Sequence, residues 1–97
     1  MAVSTARQRE LLEGSANNFE EQLFTLGLER RTQERLLAAA EGGKLRMARY
    51  TPKHDNSNAP TAIRGRLAQL EFDIERIEYA LEDARAELAA LPVEEDG

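Results

Sequence analysis

The sequence has no cysteine and no tryptophan, and its only aromatic residues are three phenylalanines and two tyrosines. Without cysteine there can be no disulfide, no thiolate metal site and no cysteine nucleophile. A chain of 97 residues with so few large apolar side chains is poorly supplied for a compact core of its own. Oligomerisation or docking on a partner is the usual remedy. We therefore expect one helical domain over residues 1–97, completed by contacts with itself or with another protein.

Long apolar runs are missing as well. No segment approaches the roughly 20 consecutive apolar residues that a membrane-spanning helix needs. The opening residues, MAVSTARQRE, lack the apolar stretch of a signal peptide. We expect a protein that does not contact a membrane and that resides in the cytoplasm or within a phage particle.

The residues that usually carry catalysis are scarce. His54 is the only histidine, and a single histidine without cysteine cannot supply the three or four ligands of a zinc site. Ser4, Ser15 and Ser57 have no base at an activating spacing and suit helix caps or turns. Gly42-Gly43-Lys44 lacks the first glycine and the Ser or Thr of a phosphate loop. The sequence therefore predicts no catalytic, cofactor-binding or metal site, and we expect no enzyme activity.

A heptad repeat organises the second half of the sequence. From Ile63 to Leu91, apolar residues follow one another at alternating spacings of four and three. This spacing predicts a helix over about 61–91, roughly 45 Å long, packed along its length on another helix. Pro60 suits a first helical turn, and Asn58 or Thr61 could cap the free N–H groups there. Pro92 follows the last apolar residue and ends the helix.

The first half has the same period with interruptions. Apolar residues recur every seven positions from Leu12, but Arg30 and Gln33 occupy positions within the series. The pattern predicts a helix over about 4–41, either continuous, which we favour, or broken near Gly14. Gly42-Gly43 would then close it in the left-handed conformation. Arg30 either extends its charge to water from an apolar stem or forms a polar layer that sets register or partner number.

Together these patterns predict an all-α fold in which two long helices form an antiparallel coiled-coil hairpin, docked in a larger assembly or oligomeric. A loop over 42–60 joins the helices, and an acidic tail over 92–97 follows them. The residues that face the other helix form the predicted seam, which consists of Leu12, Phe19, Leu23, Leu26, Leu37, Ile63, Leu67, Leu70, Ile74, Ile77, Leu81, Ala84, Leu88 and Leu91.

Some large apolar side chains fall outside the predicted seam. Phe72 and Tyr79 occupy heptad position f, the position farthest from the seam, and Phe24 and Leu28 lie off the seam of the first helix. They are either ordinary surface residues or contact residues for a second copy or another protein. We favour contact residues, because aromatic side chains commonly anchor protein interfaces.

The net charge of −5 is unevenly distributed. Residues 44–66 carry six basic side chains and one acidic one, whereas residues 67–97 carry two basic and ten acidic ones. The six cations define a predicted basic loop: Lys44, Arg46, Arg49, Lys53, Arg64 and Arg66. This loop is either simply solvated, or a binding site for an acidic protein surface, or a site for nucleic acid. The acidic helices make nucleic acid an unlikely partner through repulsion.

Two functional hypotheses follow. The first is a non-enzymatic helical interaction or structural protein that self-associates or acts as an adaptor in a larger assembly, with a phage particle as one setting. The second is a small regulator or inhibitor that binds a protein or nucleic-acid machine through the basic loop. In both, the partner is a macromolecule, and no cofactor is expected.

Overall fold

Two helices account for nearly all of the structure. The computed structural model describes residues 3–42 and 59–93. Helix α1 spans Thr5–Glu41 and helix α2 spans Pro60–Ala90. Within the described ranges there is no strand, and the two helices pack against each other. The prediction of an all-α chain built from two long helices is confirmed.

Helix α1 begins at a serine cap and continues through its first glycine. The Arg7 N–H donates to the Ser4 Oγ at 3.2 Å, which satisfies one of the free donors of the first turn. The helix is uninterrupted at Gly14, where an added Cβ would meet nothing within 4 Å. A glycine costs only about 1 kcal/mol in a helix interior. Of the two alternatives for this region, the structure shows the continuous helix.

Helical hydrogen bonding at the end of α1 extends to Gly42. The Gly42 N–H donates to the Ala38 carbonyl oxygen at 2.9 Å, which is the bond pattern of the α-helix itself. The φ angle of Gly42 lies outside the left-handed region. The predicted left-handed closure by Gly42-Gly43 therefore does not occur at the first glycine. It stays a prediction for Gly43, which lies outside the described residues.

Helix α2 begins at Pro60, as the sequence predicts for a first-turn proline. The Ile63 N–H donates to the Ala59 carbonyl oxygen at 3.0 Å, so the helical ladder is already formed by then. Arg64 and Arg66 consequently belong to the helix. They were grouped with the basic loop by charge, although the predicted helix over about 61–91 already includes both positions.

The contacts of the chain divide it into two compact units. The terminal unit comprises Met1–Phe24 and Glu75–Gly97, and the central unit comprises Thr25–Ile74. Each unit contains part of α1 and part of α2.

The core of the terminal unit is built around small residues. Ala16, Leu81 and Ala84 form a buried cluster, against which Phe19 and Leu23 pack. Alanine side chains let two helix backbones approach closely, and the larger neighbours fill the space around them.

Polar contacts in the terminal unit show the direction of the helices. The Arg85 guanidinium pairs with the Glu20 carboxylate at 2.8 Å, and Arg9 donates to the Pro92 carbonyl oxygen at 2.9 Å. Arg9 precedes Glu20 in the sequence, whereas its partner Pro92 follows Arg85, the partner of Glu20. The two helices therefore run antiparallel in this unit.

The central unit has the same antiparallel order. Ile63 is fully buried, with no exposed area. The Arg66 Nε donates to the Gln33 Oε1 at 2.9 Å, and Arg64 pairs with Glu41. Exposed ion pairs contribute at most about 1 kcal/mol, so apolar burial supplies most of the stability of this contact.

The core of the described chain is thin. Its buried apolar residues are Ala16, Ile63, Ile77, Leu81 and Ala84. All fourteen residues of the predicted seam are buried or half-buried. Neither α1 nor α2 has a stretch long and apolar enough to cross a membrane.

Shortening Leu81 tests the buried cluster. We expect Leu81→Ala to lower the free energy of unfolding by about 2–4 kcal/mol, because it leaves a cavity beside Ala16 and Ala84. Urea titration followed by far-UV circular dichroism measures the change. Leu11→Ala is the matched control, since Leu11 is 48% exposed, and it should cost less than about 1 kcal/mol. Equal losses in the two variants would contradict the packing described.

Gly14, within α1, and Gly42, the first residue after it, provide a second test. Gly14→Ala should raise the free energy of unfolding by about 0.5–1 kcal/mol, because the new Cβ has open space and the unfolded chain loses freedom. Gly42→Ala should gain less or lose stability, because its Cβ would lie 3.2 Å from the Ala38 carbonyl oxygen. Thermal melts of both variants make the comparison. A larger gain in stability for Gly42→Ala than for Gly14→Ala would contradict the close approach of Gly42 to the Ala38 carbonyl oxygen.

Candidate interaction surfaces

The helices leave several large apolar side chains in water. The four predicted contact residues are all exposed: Phe24 by 66%, Leu28 by 46%, Phe72 by 60% and Tyr79 by 62%. No residue of the predicted seam is in the exposed class. The residues of the predicted seam are therefore less exposed than the four predicted contact residues.

In the terminal unit, Tyr79 lies among carboxylates. Glu75, Glu78 and Glu82 line a shallow recess of about 260 Å³ with it. Glu75 lies four positions before the tyrosine and Glu82 lies three positions after it, and helical side chains at these spacings are close neighbours. Glu78 is adjacent to the tyrosine in the sequence. The exposed ring is thus surrounded by negative charge. Such a surface favours basic or aromatic groups of a partner over purely apolar ones.

In the central unit, α1 and α2 border a groove of about 460 Å³. Its lining residues are Thr25, Leu28, Glu29, Thr32 and Gln33 from α1 and Arg66, Gln69 and Leu70 from α2. None of these positions was assigned to a common site by the sequence patterns, because their proximity depends on the offset between the helices.

Several polar groups of the groove are satisfied internally. The Thr32 hydroxyl donates to the Leu28 carbonyl oxygen at 3.1 Å, one helical turn earlier. Gln33 accepts from the Arg66 Nε. These bonds remove part of the cost of covering the groove, because the groups involved need no new partner. Leu28 and Leu70 then provide the main contact surface of the groove for a binding partner.

Arg30 is the one charged residue predicted within a seam. Its side chain is 43% exposed, and its Nε lies 3.6 Å from the Glu34 Oε1 of the same helix. The Nε atom itself is buried and has no hydrogen-bond partner in the described part of the chain. A buried stem with a partly exposed charge is the geometry of the first interpretation, in which the arginine extends toward water.

The predicted basic loop is only partly visible. Arg64 and Arg66 lie in α2, where they contact Glu41 and Gln33. Lys44, Arg46, Arg49 and Lys53 lie outside the described residues. The regulator hypothesis therefore depends on these four cations and stays a prediction.

One core residue was missed in the predicted seam. Ala16 is only 7% exposed and belongs to the buried cluster. Its spacing of seven residues from Leu23 was the signal that could have identified it.

Within residues 3–42 and 59–93, no group of three or more His, Asp or Glu side chains is arranged to hold a metal ion. No known family model, curated protein or solved structure matches the chain. Function is therefore inferred from the exposed surfaces of the two units.

Two identical substitutions distinguish a surface ring from a packed one. Phe72→Ser should change the free energy of unfolding by less than about 1 kcal/mol, because the ring is 60% exposed. Phe19→Ser should cost about 3 kcal/mol or more, because this ring packs against the Ala16 cluster. Urea titrations at several protein concentrations, which separate folding from association, measure both. A comparable loss at Phe72 would mean that its ring packs within the chain.

Proposed function

We propose that this chain is a non-enzymatic helical interaction protein that self-associates or acts as an adaptor in a larger assembly, such as a phage particle. The observation that carries the proposal is the exposure of Phe24, Leu28, Phe72 and Tyr79 on helices that bury few residues. Covering apolar surface contributes about 25 cal/mol per Å², so four such side chains can contribute substantially to association.

The thin core supports the proposal. Among the large apolar side chains within residues 3–42 and 59–93, only Ile63 is completely buried, and two of the five buried residues there are alanines. A core of this size yields little stability relative to the entropy lost on ordering two long helices. Contacts with another subunit would supply the missing burial.

We further propose that α1 and α2 meet as a coiled coil. In the heptad register, Leu81 occupies position a, and Ile77 and Ala84 occupy position d. All three are buried, as knobs in a coiled-coil contact would be. A partner helix that packs on the outer positions would cover the exposed aromatic residues that lie there.

Residue type also supports an interface role. Phenylalanine and tyrosine immobilise few torsion angles per unit of contact area and are common anchors of protein interfaces. Phe24 and Leu28 lie on α1, and Phe72 and Tyr79 lie on α2, so both helices offer contact residues.

Light scattering combined with size-exclusion chromatography tests self-association. We expect the wild-type chain to show a mass above the 10.9 kDa of a monomer and to dissociate on dilution. Leu28→Asp should weaken association by at least about tenfold, since a charge would have to be buried at the contact. The matched control, Leu11→Asp, places the same charge at a 48% exposed site on α1 and should retain the wild-type mass.

The opposite result is equally clear. A wild-type mass of 10.9 kDa at every concentration would exclude self-association. Purification of such a monomer from cell extract without a stoichiometric partner would contradict the adaptor role as well.

A further inference from the structure

We propose that the groove of the central unit is the surface on which a second copy of the chain docks, in a symmetric dimer with a two-fold axis along the groove. This inference rests on the self-association proposed above and specifies its geometry. It commits to the groove bordered by Leu28 and Leu70 and to a contact in which each copy covers the groove of the other.

The shape of the groove suits such a contact. A two-fold axis along the groove places α1 of one copy over α2 of the second copy. The helices are antiparallel within the unit, so each new helix pair is antiparallel as well, as in a four-helix bundle. Leu28 and Leu70 would meet their counterparts from the second copy at the centre. Leu28 is 46% exposed in the single chain and would become covered.

The charges of the groove select this arrangement. Glu29 lines the groove from α1 and Arg66 lines it from α2, so the groove carries one acidic and one basic side chain on different helices. When α1 lies over α2 of the second copy, Glu29 faces the arginine of that copy, and the reverse contact occurs by symmetry. A contact of α1 with α1 would bring two glutamates together. Complementary charges therefore favour the proposed axis over the alternative pairing.

The side chains of Glu29 and Arg66 are both available for such a contact. Glu29 makes no ion pair or hydrogen bond with any residue in the described part of the chain. Arg66 is held by the bond from its Nε to Gln33, which orients the planar guanidinium. An arginine has five N–H donors, so this bond leaves donors for a carboxylate. An oriented guanidinium loses less side-chain freedom when it binds the second copy.

A charge-exchange experiment tests the inference, with sedimentation equilibrium as the measurement. Glu29→Arg alone and Arg66→Glu alone should each weaken the dimer by at least tenfold, because like charges then face each other twice. An equimolar mixture of the two variants should dimerise again to near the wild-type affinity. In the mixed dimer, each altered side chain faces an opposite charge across the interface.

Controls separate binding from folding. Glu21→Arg makes the same charge change at an exposed residue of the terminal unit and should leave the affinity unchanged. Circular dichroism checks that each variant is folded. If Arg66→Glu unfolds the chain, Arg66→Gln replaces it: this variant keeps an N–H donor at the Nε position for Gln33 and removes the charged end of the side chain. It should weaken the dimer severalfold, less than the reversal, and an unchanged affinity would overturn the inference.

The outcomes distinguish the groove from self-association in general. Wild-type association that is insensitive to the single variants, or single variants that weaken it without rescue in the mixture, would overturn the groove while leaving the broader proposal standing. A wild-type monomer at all concentrations would overturn both. Rescue in the mixture, with Glu21→Arg silent, would establish the two-fold contact.

Discussion

The packing of α1 on α2 through one narrow stripe of each helix is the constraint on which the other features depend. In the terminal unit this stripe is built on Ala16, Leu81 and Ala84, and in the central unit on Ile63. A helix that packs on a single neighbour buries only one side of its surface. Whatever lies on the opposite side stays in water, and in this chain that side includes two phenylalanines and a tyrosine.

The exposed surfaces of the two units differ in chemistry, and the difference bears on how each could bind. Around Tyr79 the neighbours are carboxylates, so a contact there must accommodate negative charge. The groove of the central unit combines leucines with one acid and one base. A surface with balanced charge of both signs can match a copy of itself, whereas a uniformly acidic one repels its copy. Self-association is therefore argued from the groove rather than from the acidic recess.

Sequence patterns say least about the residues at helix ends. A count of charge along the sequence groups Arg64 and Arg66 with the basic loop, because a helix boundary leaves no trace in such a count, although the predicted helix over about 61–91 includes both. The hydrogen bond from Ile63 to Ala59 shows that the helix has already begun before them. At the end of α1, one further helical hydrogen bond reaches Gly42. A backbone ladder can continue by a residue at small cost, so local propensity does not fix the last residue of a helix.

The sequence by itself determined that there are two long helices, which side of each is apolar, and which large side chains remain outside. These properties follow from the 3.5-residue spacing of apolar side chains, which is local information. Only the tertiary structure decided which residues meet: Gln33 with Arg66, Glu20 with Arg85, and the eight residues of the groove. The physical reason is that a heptad pattern repeats. Sliding one helix past the other by seven residues keeps apolar residues opposite apolar residues, so the pattern alone leaves the offset open, and every pairing between the helices depends on that offset.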